Sequence, residues 1–214
     1  MPDVSKLLAR GLVTAGIGIP QTIYTPPSGA KAIVIKSMML NNSSPSPIIV
    51  SVLLNGYHIL INYSIKPNDS IIVPVVDQIL SGTGDTIKIS ASVTSVISYY
   101  ISGVEYETND VNSDYYYARQ IDRTTIAAAD GNKGIGSVTA AKRIIKSLVV
   151  CNPNNTEVSF SIAFAGTWIV NAFKVKAYDT ILVPTFDAVL EPGFTITCNA
   201  NNLISLHLSG KDVT

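Results

Sequence analysis

Apolar residues along the chain fall into short runs that are rich in β-branched side chains and are closed by turn-forming residues. In the first half these runs occupy residues 32–40, 48–54, 70–76, 86–91 and 96–104. Runs of this length and composition predict β-strands. Helical periodicity is nearly absent, and a helical turn is expected only at residues 5–10 and 77–80.

The same pattern occurs twice along the chain. Residues 65–80 read IKPNDSIIVPVVDQIL, and residues 175–190 read VKAYDTILVPTFDAVL. The same shift of about 110 residues aligns IVIKSMMLNN with RIIKSLVVCN, YYISGVE with LHLSGKD, and the two Ala-Arg pairs that end at Arg10 and Arg119. One register held over this length indicates an internal duplication.

The duplication predicts an all-β fold of two tandem homologous antiparallel β-sandwiches, of jelly-roll or immunoglobulin-like type. Residues 1–105 are expected to form the first copy with an N-terminal arm, residues 106–117 a polar linker, and residues 118–214 the second copy. Asn55 and Gly56 predict a type I′ hairpin turn. The matched residues are Ala165 and Gly166, and there the glycine alone is expected to preserve the turn.

The repeated polar and proline residues have structural interpretations. An aspartate in the turn before the repeated strand is expected to bond the backbone, and a second aspartate to cap the corner after it. Proline cannot donate to a ladder, so the repeated proline marks a sheet edge or a bend. These turn and cap residues are Asp69, Pro74, Asp77, Asp179, Pro184 and Asp187. A structural role at each repeated position argues against catalysis.

Composition narrows the function classes. Acidic and basic residues number 15 each, so no nucleic-acid surface is expected. Charged residues make up 14% of the chain, against roughly 25% in an ordinary soluble domain, which predicts surface covered by other subunits. No apolar run is long enough to cross a bilayer, and no secretory signal is recognised. Cys151 and Cys198 are expected to be buried free thiols, with a bridge or a metal pair as the alternative.

No catalytic, cofactor-binding or metal-binding residues are expected. His58 and His207 occupy unrelated repeat positions without ligands at metal spacing. Residues 130–137, DGNKGIGS, are interpreted as a flexible loop because they lack the ending of a phosphate-binding loop. Asp130 and Asn132 could hold calcium there, although the acidic pattern of a calcium loop is missing.

Tyrosines cluster around the junction between the two copies. Tyrosine is enriched at interfaces because it joins a large apolar face to a hydroxyl group that tolerates water. The cluster is interpreted as packing between the domains, as a subunit interface, or as a platform for a sugar. The N-terminal SKLLARGLV is expected to dock on a neighbouring subunit. The candidate interface residues are Lys6, Leu7, Leu8, Tyr99, Tyr100, Tyr106, Tyr115, Tyr116 and Tyr117.

Three motifs carry a family resemblance: AIVIKSMMLNN at residues 32–42, LSGTGDTI at residues 80–87 and SGVE at residues 102–105. The second copy keeps IIKSLVVCN and LSGKD. Each copy thereby resembles a small β-sandwich module that recurs in structural proteins of tailed bacteriophages.

The resemblance implies a non-enzymatic virion protein, either a capsid decoration or cement protein or a tail or baseplate adaptor. Its expected partners are other copies of itself, as a trimer or hexamer, and other virion proteins. It would be assembled in the host bacterial cytoplasm. Two similar domains per chain would let a trimer present six similar units. The alternatives are a receptor- or carbohydrate-binding module of a phage fibre and an unrecognised hydrolase.

Overall fold

The computed structural model describes residues 4–28, 30–75, 77–80, 84–107, 119–136, 142–183 and 188–213. The chain divides into two compact units, Met1–Tyr115 and Tyr116–Thr214. The first unit contains β1 (Val4–Leu12), β2 (Gln21–Tyr24), β3 (Ala30–Asn42), β4 (Ile48–Leu54), β5 (Tyr57–Ile65), β6 (Ser70–Ile72), β7 (Gln78–Leu80), β8 (Ile87–Ala91) and β9 (Ile97–Glu107).

The second unit repeats this series of strands. They are β10 (Arg119–Ile126), β11 (Lys133–Ile135), β12 (Lys142–Cys151), β13 (Val158–Phe164), β14 (Thr167–Val175), β15 (Thr180–Val183), β16 (Ala188–Leu190), β17 (Ile196–Ala200) and β18 (Ile204–Val213). A single 3₁₀ turn, Ala128–Asp130, is the helical structure found in the described part of the chain.

The two units have the same sheet topology. In the first, one sheet has the order β1-β9-β3-β6, with β7 also paired to β3, and the other has the order β2-β8-β4-β5. In the second, the orders are β10-β18-β12-β15, with β16 also on β12, and β11-β17-β13-β14. Since β6–β7 and β15–β16 are each one interrupted strand, every unit is an eight-stranded jelly roll. The predicted tandem antiparallel β-sandwiches are confirmed, and the jelly-roll alternative is the observed one.

Each sandwich has a core built from alternate residues of both sheets. In the second unit Leu148 and Leu206 from one sheet pack with Phe160, Ile162 and Ile196 from the other, and all are buried. In a strand, side chains alternate between the two faces, so apolar residues at every second position fill one interior. The short apolar runs of the sequence are these strands.

A buried asparagine joins three chain segments in each unit. The amide nitrogen Nδ2 of Asn42 donates to the carbonyl oxygens of Ser46, Ile65 and Lys66, at 2.8, 3.2 and 3.0 Å. Its Oδ1 accepts from the backbone nitrogen of Ser44 at 2.9 Å. The matched set in the second unit is Asn152 with Thr156, Val175, Lys176 and Asn154.

A buried serine fixes a bulge in each edge hairpin. The hydroxyl oxygen of Ser51 accepts from the backbone nitrogen of Asn62 at 3.1 Å, and Ser161 accepts from Ala172 at 2.9 Å. Asn62 and Ala172 have φ angles of 49° and 48°. These repeated bonds show that the duplication extends to local backbone geometry.

The hairpin corners differ from the expectation. Asn55 and Gly56 have φ angles of 54° and 84°, as a type I′ turn requires. Ala165 and Gly166 have φ angles of 49° and 79°, so the second copy keeps the turn with an alanine in the left-handed region. The prediction that glycine alone carries this corner is wrong.

Residues 4–12 form neither the expected helical turn nor an arm that leaves its own unit. Residues 4–12 form β1, which pairs with β9. The expected helical turn at residues 77–80 is also wrong, because Gln78–Leu80 is β7, paired with β3. At the junction, β9 continues through Glu107, so Tyr106 belongs to a strand and not to the linker. The rest of the predicted linker up to residue 117 lies outside the described residues.

Strand pairing corrects one part of the repeat alignment. Arg10 lies opposite Tyr100, and Arg123 lies opposite His207, which matches Tyr100 in the repeat. The structural counterpart of Arg10 is therefore Arg123, and not Arg119 as the Ala-Arg pairs indicated. The error arises because this short match carries no apolar pattern to fix its register.

Candidate subunit interface

The structure places the described candidate interface residues on two neighbouring strands. In β1, Lys6 lies opposite Gly103, and Leu7 lies opposite Ser102 of β9. Tyr99, Tyr100 and Tyr106 belong to β9 itself. Both groups thus lie on the first two strands of one sheet, β1 at its edge and β9 beside it. Tyr115, Tyr116 and Tyr117 lie outside the described residues, as does the side chain of Tyr106.

Two of these residues present large apolar surface. Leu7 is 45% exposed and Tyr100 is 50% exposed. Leu8, at a bulge of β1, covers Gly103: a Cβ atom there would lie 2.8 Å from its Cδ1. Lys6 forms an ion pair with Glu105.

Tyr99 covers the backbone of the neighbouring strand. A Cβ atom at Gly11 would lie 2.9 Å from its hydroxyl oxygen. Tyr99 thus packs on its own sheet, whereas Leu7 and Tyr100 face outward.

A row of exposed side chains crosses the whole outer face of this sheet. Arg10 lies opposite Tyr100, Tyr100 opposite Met39, and Met39 opposite Ile72. Met39 is 44% exposed and Ile72 is 72% exposed. We call Arg10, Tyr100, Met39 and Ile72 the outer row. Leu12, beside it on β1, is 49% exposed. Adjoining exposed apolar side chains on a sheet face are typical of an interaction site.

The outer row borders a shallow hollow of about 420 Å³. Its walls include Arg10, Met39, Asn41, Ser98 and Tyr100. The amide of Asn41 donates to the hydroxyl of Ser70 at 2.9 Å. The hollow therefore offers an aromatic face and a thioether beside a cation and an amide. Such a lining suits either an aromatic side chain from a protein or a sugar ring.

The second unit exposes aromatic residues at the edge of its other sheet. β14 is an end strand of the order β11-β17-β13-β14. Trp168, Ile169 and Phe173 on this strand are 47%, 41% and 48% exposed. The ring of Phe173 meets Phe160 edge to face, with 6.0 Å between ring centroids. We call Trp168, Ile169 and Phe173 the β14 edge.

Sequence reasoning missed both the outer row and the β14 edge. The outer row joins residues 10, 39, 72 and 100, which only strand register brings together. The β14 edge had a signal in the sequence. It contains the single tryptophan of the chain, directly after a hairpin corner. A large aromatic beside a turn is a candidate for a surface anchor.

The repeated aspartates bond the backbone in both turns. In the first unit, Oδ1 of Asp69 accepts from the backbone nitrogen of Ser70 at 2.8 Å, and its carbonyl oxygen accepts from Asn42 at 2.9 Å. In the second unit, Asp179 accepts from Thr180 at 2.8 Å and from Asn152 at 2.9 Å.

The corner between β6 and β7 is held by an ion pair. Asp77 has a φ angle of 61°, and its carboxylate pairs with Lys36. Its backbone nitrogen donates to the carbonyl oxygen of Ile35 at 2.9 Å. Pro74 lies in the bend that interrupts the strand. Pro184 and Asp187 lie outside the described residues.

One core position differs in charge between the units. Arg143 of β12 takes the place of Ile33, and its side chain is 7% exposed. Its Nε and Nη2 donate to the two carboxylate oxygens of Asp212 at 2.7 and 3.2 Å. Asp212 takes the place of Glu105. Burial removes water from the guanidinium group, and the bidentate bond to the carboxylate compensates for this loss.

The titratable groups show no reactive thiol. Cys151 and Cys198 are free and buried, and burial raises the pKa of each to about 12. Both thiols are therefore protonated at neutral pH. Burial lowers the pKa of His58. Within the described ranges, no group of three His, Cys, Asp or Glu side chains could hold a metal ion.

The glycine-rich segment is not a flexible loop throughout. Lys133–Ile135 form β11, which pairs with β17. The carboxylate of Asp130 accepts from the backbone nitrogen of Ala127 at 2.8 Å, and this bond lowers its pKa. The amide oxygen of Asn132 accepts from Asn199 at 2.6 Å. Both proposed calcium ligands thus have partners in the protein.

Searches of known proteins give structural likenesses only. No protein-family model matches the chain, and no curated protein matches it. No helix in the described residues is long and apolar enough to cross a membrane.

Three solved structures illustrate the likenesses. The major capsid protein P2 from bacteriophage PM2 is 12% identical, with 99% of this chain and 98% of that chain covered and a TM-score of 0.33. PNGF-II is 6% identical, with 99% and 66% covered and a TM-score of 0.39. A cupin 2 conserved barrel domain protein from Leptotrichia buccalis is 7% identical, with 95% and 97% covered and a TM-score of 0.20. None of these likenesses assigns a function.

Proposed function

We propose that the chain is a non-enzymatic structural protein of a virion that assembles through contacts between copies of itself. The observation that carries this proposal is the repeat of one jelly roll, with the same topology and the same buried hydrogen bonds, in a single chain. Jelly rolls occur in viral capsid proteins, in lectins and in cupins. A building-block role gives the duplication a purpose, because it doubles the number of similar packing units per chain.

The exposed apolar surfaces support assembly. The outer row lies on the first unit and the β14 edge on the second, and both leave large side chains open to solvent. The chain is also poor in charge, at 14%. Three copies would present six similar jelly rolls around one axis, which fits three-fold or pseudo-six-fold positions of a shell.

The test is the mass and shape of the purified chain. Light scattering after gel filtration is expected to give three times the mass of one chain. Electron micrographs of the same fraction are expected to show six lobes around a three-fold axis. A monomer at all concentrations, absent from purified particles, would contradict the proposal.

The hollow favours a second function, carbohydrate binding by a phage fibre or surface protein. Arg10, Asn41 and Tyr100 place a cation, an amide and an aromatic face around one space, and this set can stack on a sugar and bond its hydroxyls. A glycan array is the test. Binding that Tyr100→Ala abolishes in a monomeric protein would favour this function over assembly.

A further inference from the structure

The hollow lies between two rows of side chains on the outer face of the first unit. Arg10, Tyr100 and Met39 belong to the outer row. Residues two positions away along the same strands point to the same face, so Ser98 and Asn41 lie beside that row. Ser98 is the smallest of these residues, and larger side chains surround it. The hollow of about 420 Å³ is therefore the space above the short side chain of Ser98.

Three polar groups at the hollow are open to a ligand. Among the described residues, no acidic side chain forms an ion pair with Arg10, whose side chain is exposed. The amide nitrogen of Asn41 already donates to the hydroxyl of Ser70 and to the carbonyl oxygen of Asp69, at 2.9 and 3.4 Å. Its Oδ1 and the hydroxyl group of Ser98 form no hydrogen bond within the part of the chain that the structure describes. A fitting ligand thus brings an anion and hydroxyl donors.

The side chains of the hollow are not repeated in the second unit. The positions of Met39, Asn41 and Tyr100 are taken there by Val149, Cys151 and His207. The buried asparagine and serine bonds that hold the fold are, by contrast, present in both units. The amide, thioether and phenol of the hollow are therefore a property of the first unit and not a requirement of the fold.

We propose that the hollow binds an acidic sugar, a pyranose ring that carries a carboxylate. This inference rests on the second function proposed above, carbohydrate binding, whose ligand it specifies. The guanidinium group of Arg10 holds the carboxylate by two parallel hydrogen bonds, which its planar set of donors favours. The half-exposed ring of Tyr100 stacks on the apolar C–H face of the sugar, and Oδ1 of Asn41 accepts from a sugar hydroxyl.

The chemistry of the hollow selects this class over other ligands. A neutral sugar leaves Arg10 without an anion, and inorganic phosphate has no apolar face for Tyr100. A carboxylate on a peptide side chain brings no hydroxyl donor for Oδ1 of Asn41. An acidic sugar supplies the anion, the apolar face and the hydroxyl donors together. The volume of about 420 Å³ also falls within the range of roughly 300–1,000 Å³ that small-molecule sites occupy.

A matched pair of sugars tests the preference. Methyl β-glucuronide and methyl β-glucoside differ only in a carboxylate against a hydroxymethyl group. Calorimetric titration of the full chain is expected to give a dissociation constant at least roughly tenfold lower for the glucuronide, because its bond to Arg10 is charge-assisted. Added salt should weaken binding of the glucuronide and leave the glucoside unchanged. Equal dissociation constants for the two sugars would overturn the acidic preference.

Variants assign the preference to the hollow. Arg10→Gln is expected to remove the difference between the two sugars, and Tyr100→Ala to weaken both by roughly tenfold. Arg123→Gln is the matched control, because Arg123 is the counterpart of Arg10 in the second unit. Circular dichroism checks that the three variants fold. An unchanged preference in Arg10→Gln, or an equal loss in Arg123→Gln, would overturn the proposal.

The same titrations separate this inference from carbohydrate binding in general. If both sugars bind equally and Tyr100→Ala abolishes both, the acidic preference is wrong and carbohydrate binding stands. If neither sugar binds at tens of millimolar, both fail. Acetate is the third probe, and binding of acetate as tight as that of the glucuronide would show a site for any carboxylate and overturn the sugar ligand. The assembly role is tested by light scattering and does not depend on these results.

Discussion

The two units share their left-handed backbone positions but not the residues that occupy them. At three matched positions the φ angles lie between 48° and 57° in both units. The first unit has asparagine at all three, which tolerates this region, and the second has two alanines and a tyrosine, which do not favour it. The matched pairs are Asn55 with Ala165, Asn62 with Ala172, and Asn68 with Tyr178. Strand pairing and buried hydrogen bonds therefore impose the conformation, and local preference only lowers its cost.

The ion pairs of the two units also differ in the residues that form them. In the first unit Glu105 pairs with Lys6 of the edge strand, while in the second Asp212 pairs with Arg143 of the central strand. The acidic position is common to both units, and its cationic partner has changed strand. A buried Ile33 stands where the second unit has Arg143. The fold thus tolerates a charge in its core as long as the partner is retained.

The largest effect is expected at the glycines that the two units share. A Cβ atom at Gly103 or Gly210 would collide with the carbonyl oxygen of Val34 or Ile144 on the neighbouring strand. Gly103→Ala and Gly210→Ala are each expected to destabilise their own unit by about 4 kcal/mol or more. Hydrogen exchange, read separately for each unit, measures this.

Gly134→Ala is the control for the glycine substitutions, because a Cβ atom there meets no neighbouring atom. Its effect should stay within about 0.5 kcal/mol. A mild effect of Gly210→Ala beside a severe effect of Gly103→Ala would break the equivalence of the two units.

The next largest effect is expected at the buried ion pair of the second unit. Arg143→Ala leaves the carboxylate of Asp212 without its main partner and should cost about 3–5 kcal/mol of unfolding free energy. Arg143→Ile combined with Asp212→Val should recover most of this loss, since apolar replacement of both partners is often neutral. Urea unfolding measures both variants. Lys142→Ala, at an exposed pair with Glu191, should change stability by less than about 1 kcal/mol.

The buried asparagines should respond equally in the two units. Asn42→Ala and Asn152→Ala each leave buried carbonyl groups without a donor, at an expected cost of about 2–4 kcal/mol. Asn41→Ala, the neighbouring residue with a partly exposed side chain, is expected to cost less than about 1 kcal/mol. Clearly unequal losses from the two buried positions would show that the shared hydrogen bonds differ in weight.

The left-handed positions allow a direct exchange between the units. Ala172→Asn introduces the residue of the first unit and should stabilise the second by about 0.5–1 kcal/mol. Asn62→Ala should destabilise the first unit by a similar amount. Thermal unfolding measures both, and two shifts of the same sign would contradict the interpretation.

The smallest effect concerns pH and one histidine. Burial lowers the pKa of His58 in the folded state below its ordinary value of 6.5. Folding therefore excludes a proton that the unfolded chain binds, and the stability due to neutral His58 is lost as pH falls below 6.5 toward the lowered pKa. The first unit should lose this contribution to its unfolding free energy on acidification. His58→Gln should remove the corresponding part of the slope of unfolding free energy against pH. The matched residue, Trp168, does not titrate. An unchanged slope in the variant would assign the pH dependence elsewhere.

The sequence predicted the strands and the duplication because both depend on local alternation and on self-similarity. It did not predict β1, because Leu7, Leu8 and Ala9 favour helices and become a strand only by pairing with β9. Strand order and register could not be read locally either, and the outer row depends on both. Ile59 is buried and Ile169 is exposed, although the two residues are identical and occupy matched positions. Their exposure depends on their surroundings in the fold, so it could not be predicted from the residue type.

The first and last strands of each unit are antiparallel neighbours, with Val4 opposite Glu105 in one and Arg119 opposite Gly210 in the other. A force that pulls the two ends of a unit apart therefore acts on a single ladder, at the end where that ladder begins. Hydrogen bonds in such a ladder lie perpendicular to the strands, and they would break one pair after another instead of all together. A single chain stretched from its ends should thus yield by unzipping at low load. In an assembly of several chains, mechanical strength would have to come from contacts that cover β1 and β10.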